Sequence, residues 1–167
     1  MTNLSRQTGM PDQTARCAPM RAVRSSILLL GLALMASGCA GDVRGVLAPV
    51  AQGAPGTSKV TMLVATTLSS DRDVGVLFSG ARGPNAFAEI TVSLPPDATR
   101  TVGQVQWPSR LPGNPATEFV TLKVDRLDRT AALARLHSAV TKVPKRRVMI
   151  FVHGFNNRFE DAVYRFA

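Results

Sequence analysis

The first patterned feature of the chain is an apolar run, Ile27 to Ala36, behind a head carrying Arg6, Arg16, Arg21, Arg24 and one acid, Asp12. Ten residues as a helix extend about 15 Å, half of a bilayer's hydrocarbon core, so the run is too short to span one. A basic head, a short apolar run and the small residues Ser37-Gly38 describe an export signal over residues 1–38. Met1, Met10 and Met20 are alternative starts, and Met20 gives the most compact signal. From Ala40 to Ser58 the chain is rich in Gly, Ala and Pro without periodicity, which predicts a flexible tether over 39–58. Such a tether would reach roughly 25 Å by the square-root rule.

Beyond it the period becomes two. Val60–Thr67 is apolar and β-branched and predicts a strand, broken at Ser69–Asp73. A second apolar run, Val74–Phe78, meets turn residues from Ser79-Gly80 to Asn85. Ala88–Leu94 alternates, with Ile90, Val92 and Leu94 on one face, and stops at Pro95-Pro96-Asp97. Gly103–Trp107 predicts a short strand, followed by a Pro/Gly-rich loop. Phe119–Leu127 places Val120, Leu122 and Val124 inward and Thr121, Lys123 and Asp125 outward. The period then shifts to that of a helix, with Asp128 or Thr130 as cap, an apolar stripe of Leu133, Leu136 and Val140, and Pro144 as terminator.

Val148-Met149-Ile150-Phe151-Val152 is apolar without alternation, as a strand covered on both faces reads, and such strands are usually parallel. The turn His153-Gly154-Phe155-Asn156-Asn157 leads into a helix, with Asn157 and Glu160 spaced as a capping box. Phe159, Ala162, Val163 and Phe166 form its buried stripe, and Asp161 is placed to pair with Arg165. Strands, a helix, a buried strand and a second helix describe an α/β fold over 59–167 in which antiparallel strands lead into a parallel sheet. Where a buried strand turns sharply into a helix, amides collect in a positively polarised corner suited to a developing oxyanion. Gly154, lacking a Cβ, permits close approach there.

Charge and composition narrow the functions. The net charge of +9 falls to +6 without residues 1–38, and it is dispersed apart from Lys145-Arg146-Arg147. One Trp and one Tyr, neither beside a basic cluster, do not make a nucleic-acid surface. The only cysteines are Cys17, inside the signal, and Cys39, which leaves no thiol pair for a disulfide or metal site in the exported chain. No cofactor or metal is expected.

Two resemblances add to this reading. Met35-Ala36-Ser37-Gly38-Cys39 resembles a bacterial lipobox, with Ala36 where Leu is commoner. That resemblance implies lipid attachment at Cys39 and a membrane partner, and Ala40 at the next position implies an outer-membrane lipoprotein facing the periplasm. The alternative is an ordinary cleaved signal with an incidental cysteine. The stretches VATT, FSGARG, VSLPP and QWP, with RVMIFVHGFNNRFEDAVYRFA, resemble a bacterial family of alpha/beta hydrolases, esterase/lipase-like and often lipoproteins.

This second resemblance implies an envelope-anchored serine hydrolase acting on an ester or acyl small-molecule substrate. It makes the backbone N–H of Phe155 an oxyanion-hole donor, with Gly154 shaping the turn and His153 as motif residue. No serine here occupies G-x-S-x-G: Ser79 follows Leu77-Phe78, and Ser58 lies in the tether. The base histidine of this fold comes last in sequence, so His153 is expected to shape the loop, and His137 to pack half-buried on its helix. Arg82 is either a substrate contact or a solvated turn residue. The expectation is the N-terminal part of such an enzyme, catalytically inactive by itself. The competing expectation is a non-catalytic envelope lipoprotein that binds a partner.

Overall fold

The computed structural model describes residues 43–145, 147–154 and 157–167. The expected signal, Cys39 and Phe155 lie outside them. Among the described residues three strands, β1 (Ser58–Ser70), β2 (Phe78–Leu94) and β3 (Val120–Leu127), form an antiparallel sheet in the order β1-β2-β3. Two helices follow, α1 (Arg129–Thr141) and α2 (Phe159–Phe166).

The alternation predicted along β2 is the spine of the core. Ala88, Ile90, Val92 and Leu94 are buried, and Ile90 stands between Met62 of β1 and Val124 of β3. Each neighbour thus supplies an apolar side chain to the same face, the unit from which a sheet draws its stability. On that face lie Phe159, Val163 and Tyr164 of α2, with Phe78 and Phe159 edge to face at 4.8 Å between centroids.

Two β-bulge patterns depart from the sequence reading. The Gly/Pro-rich stretch 79–85 lies inside β2 rather than in a turn. Between Thr66↔Ala86 and Leu68↔Arg82 two steps of β1 face four of β2, and the same happens between Leu68↔Arg82 and Ser70↔Phe78. The irregular register accommodates residues that a continuous ladder would reject. In β3, Thr91 pairs with Lys123 but Val92 pairs with Thr121, so Leu122 is the extra residue. A one-residue slip reverses the faces beyond it. Thr121, expected outside, is therefore fully buried, and Leu122, expected inside, is only half-buried.

Other expectations change as well. Gly103–Trp107 forms no strand; it belongs to an irregular loop that delivers Trp107 onto Tyr164. Asp128 caps α1, its carboxylate accepting from Ala131 N at 2.7 Å. The predicted stripe of α1 is not buried: Leu133 and Leu136 are exposed, Ala132 is its one buried residue, and His137 is exposed rather than half-buried. Arg135 of α1 pairs with Glu89 at 2.9 Å, and Glu89 belongs to the outward set of β2. This helix therefore covers the sheet's other face lightly, through a salt bridge more than through apolar contact.

The segment expected as a free tether is packed from Val43 onward. Val46 and Leu47 are 2 and 0% exposed. Leu47 N donates to Gly75 O at 3.0 Å, and Val50 N donates to Thr121 O at 2.9 Å. Glycine and alanine content predicted flexibility, but two apolar side chains and the pairing of backbone amides decided otherwise.

Candidate functional site

The corner that the sequence singles out begins after α1. Val148–Val152 is not a strand of the sheet: the five residues are irregular and 46 to 83% exposed. The parallel strand expected there is absent among the described residues. Non-alternating apolar sequence requires cover on both faces, and the three antiparallel strands present here provide neither neighbour. Phe151 alone finds an aromatic contact, its ring 5.9 Å from that of Phe166 on α2.

His153 and Gly154 are exposed. The carbonyl of Gly154 accepts from Asn157 Nδ2 at 3.1 Å and stands 2.9 Å from His153 Nδ1. A carbonyl oxygen only accepts, so that second bond requires the proton on Nδ1 and leaves Nε2 of a neutral ring as the acceptor. A Cβ placed on Gly154 would meet Asn157 Nδ2 at 3.5 Å, an ordinary contact. Among the described residues, packing therefore does not demand a glycine at this position. Asn157 ties the turn together and does not cap the helix.

The helix starts one residue later than the sequence pattern indicates. Arg158 is the cap position, and its amide donates to Asp161 Oδ2 at 3.1 Å. The guanidinium of Arg158 bonds the other oxygen of Asp161 at 3.0 Å, so Asp161 turns back along the helix instead of pairing with Arg165. Glu160 is buried in the first turn, 3.6 Å from Arg158 Nη1. Carboxylates in a first turn meet the unpaired amides and positive end of the helix.

What fixes α2, and hence the corner, is a residue the sequence reading passed over. Tyr164 is 1% exposed, and its hydroxyl donates to Val46 O at 2.9 Å and lies 3.3 Å from Thr121 Oγ1. Its ring stacks on Trp107 at 5.2 Å and meets Phe119 at 6.1 Å. Burial, only partly offset by the hydrogen bonds to Thr121, pushes its hydroxyl up to about 12. One side chain thus joins the amino-terminal segment, β3, the long loop and α2. Its position beside the stripe residue Val163 was the only available sequence signal.

The loop before β3 has a second organiser. Glu118 accepts from Ser109 N and Oγ, both at 2.9 Å, and from Asn114 N at 2.7 Å. Burial alone would raise its carboxyl, but the amides of Asn114 and Ser109, the Ser109 hydroxyl and the charge of Arg110 together hold it below the ordinary carboxylate value. An open depression of about 610 Å³ lies over this loop, lined by Arg110, Asn114, Thr117 and Glu118 among others. The carboxylate is already engaged by the loop's own donors.

The remaining candidates do not converge on the corner. Ser79 Oγ donates to Ser69 O at 3.3 Å and accepts from Ala81 N at 3.2 Å, which locks the irregular part of β2. Ser58 opens β1, and Arg82 bonds Thr67 Oγ1 at 2.7 Å on the exposed surface. Among the described residues no group of His, Cys, Asp or Glu is placed to hold a metal ion, and no helix is long and apolar enough to cross a membrane.

Residues 128–167, which contain α1, the exposed apolar segment, the corner and α2, match the family described as alpha/beta hydrolase of unknown function (DUF900). No curated protein and no solved structure matches the chain. The match bears out the resemblance in the block for which it is most specific. A partial α/β fold follows from it together with the sheet and helices, while the parallel part of such a fold is not formed by the described residues.

Proposed function

We propose that this chain carries the amino-terminal part of an envelope-anchored alpha/beta hydrolase acting on an ester or acyl substrate. The observation that carries the reading is the family match over residues 128–167, centred on a His-Gly turn between an apolar segment and a docked helix. In this chemistry the amide of Phe155 stabilises the negative charge that builds on the carbonyl oxygen during acyl transfer. One such donor contributes roughly 2.7–4 kcal/mol to the transition state. His153, with its proton on Nδ1, shapes the turn by bonding Gly154 O. Nucleophile, acid and base are not recognisable among these 167 residues and would be supplied by sequence beyond them. Cys39 is the proposed lipid attachment point, and the resemblance of residues 35–39 to a lipobox, with Ala40 next, supports a periplasm-facing outer-membrane lipoprotein.

The test has two steps. Reading the gene past codon 167 should reveal an in-frame strand, serine elbow and helix. The product of that whole frame should hydrolyse p-nitrophenyl butyrate, and Phe155→Pro, which removes the N–H, should lower kcat by about 10²–10³. Full activity in Phe155→Pro would exclude the oxyanion role. The competing reading, a non-catalytic envelope lipoprotein, draws on one observation: Tyr164, Val46 and Thr121 close a core while His153 and Gly154 stand exposed outside it. A stop codon after 167 and a stable envelope product would favour it.

A further inference from the structure

We infer that the folded domain rests directly on the membrane, with the loops at 72–76 and 109–113 turned into the lipid headgroups. This rests on Cys39 being the lipid-bearing residue, as proposed above. The sequence pattern allots nineteen residues, Ala40 to Ser58, to a free tether. Yet Val43 already packs against the core, and Val46 and Leu47 are part of it. Backbone bonds from Leu47 to Gly75 and from Val50 to Thr121, with the Tyr164 hydroxyl donating to Val46 O, fasten this segment to the loop between β1 and β2, to β3 and to α2. Only Ala40, Gly41 and Asp42 remain between the anchor and the packed chain. Four extended steps from Cys39 to Val43 reach at most about 14 Å. A headgroup layer is about 5–7 Å thick per leaflet, so the domain has little room to stand away from it.

The same contacts identify the face. The backbone of Gly45 meets that of Gly75 so closely that a Cβ on Gly75 would lie 2.5 Å from Gly45 O. A Cβ on Gly45 would lie 3.3 Å from Leu111 Cδ1. Two loops therefore flank the point where the anchored chain enters the fold. Each presents an exposed apolar residue, Val74 at 61% and Leu111 at 44%. Exposed arginines accompany them: Arg44 on the entering segment, Arg72 beside Val74 and Arg110 beside Leu111. Asp71 and Asp73 lie in the first loop, but their carboxylates accept the amides of Asp73 at 3.0 Å and Gly75 at 2.8 Å. Apolar side chains among guanidinium groups, at the end of a short lipid-linked stem, fit an anionic bilayer surface.

The test uses the full chain, matured in a bacterial host that processes lipoproteins and reconstituted in vesicles containing 30% phosphatidylglycerol. Val74→Cys and Leu111→Cys are compared with Leu133→Cys on exposed α1, each in the native chain and with ten Gly/Ser residues inserted between Asp42 and Val43. The insertion adds about 17 Å of average reach. Labelling by a charged, water-soluble maleimide is expected to be at least fivefold slower at 74 and 111 with the native stem than with the extended one, and equal at 133. Equal rates at 74 and 111 with both stems, while intact mass shows lipid on Cys39, would overturn the inference and leave the anchor reading standing. A mass without lipid on Cys39 would overturn both.

Discussion

Removing the hydroxyl of Tyr164 tests the packing that holds the corner in place. Tyr164→Phe keeps the ring against Trp107 and Phe119 but deletes the donor to Val46 O and the neighbour of Thr121 Oγ1. A buried acceptor left without its partner costs about 1–3 kcal/mol, and the middle of that range lowers the melting temperature by roughly 6 °C for a domain of this size. A second arm uses pH. The hydroxyl is raised from 10.0 to about 12 in the folded chain, so ionisation is disfavoured by folding. The resulting contribution is fully present below pH 10 and is lost as pH rises through about 12, a fall of about 3 kcal/mol in all. Tyr164 is the one tyrosine of the chain, so absorbance at 295 nm reports its titration directly. The native protein should titrate near 12 until it unfolds, and the Phe variant should lack this portion of the alkaline loss in chemical denaturation. A phenol that titrates at 10 in the folded protein, or a Phe variant as stable as the parent at pH 7, would refute the anchoring role.

Three further perturbations address other joints of the fold. Glu118→Gln should speed amide exchange at Ser109 and Asn114 by roughly two- to fivefold while costing less than about 1 kcal/mol, since the group is only half-buried and Gln keeps an acceptor oxygen. Because its carboxyl is held below the ordinary value, the stabilisation it contributes is present above about pH 4.5 and is lost as pH falls through the lowered value, so the same exchange should quicken in acid. Asp128→Ala removes the cap of α1 and should cost about 1 kcal/mol by urea denaturation, and Asp128→Asn, which keeps an acceptor, should restore most of it. Ile150→Lys with Val152→Lys should reduce light scattering of the purified chain without lowering its melting temperature, because both side chains are exposed and unpaired. A lower melting temperature would mean that the segment is part of the core after all.

Much of the sheet was legible because its physics is local. Val60–Thr67 is apolar and β-branched and Ala88–Leu94 alternates, and alternation projects side chains to opposite faces wherever the ladder is regular. Asp128 advertised a cap and Pro95-Pro96 a stop, since each acts within a few residues of itself. The stripe Phe159, Ala162, Val163 and Phe166 likewise marks the inner face of α2 by its helical spacing alone. The corner was legible as a motif, His153-Gly154, and the family match over 128–167 falls on it.

Tertiary structure decided what depends on neighbours distant in the chain. Whether Thr121 faces in or out turns on one extra residue, Leu122, and a bulge is a property of two strands, so no reading of β3 alone could place it. The burial of Val46 and Leu47 required the groove that Gly75, Thr121 and Tyr164 make together. Val148–Val152 has the composition of a covered strand, but composition supplies only the demand for cover. The cover itself is a set of partner strands, and among the described residues those partners are missing, so the apolar side chains stay in water.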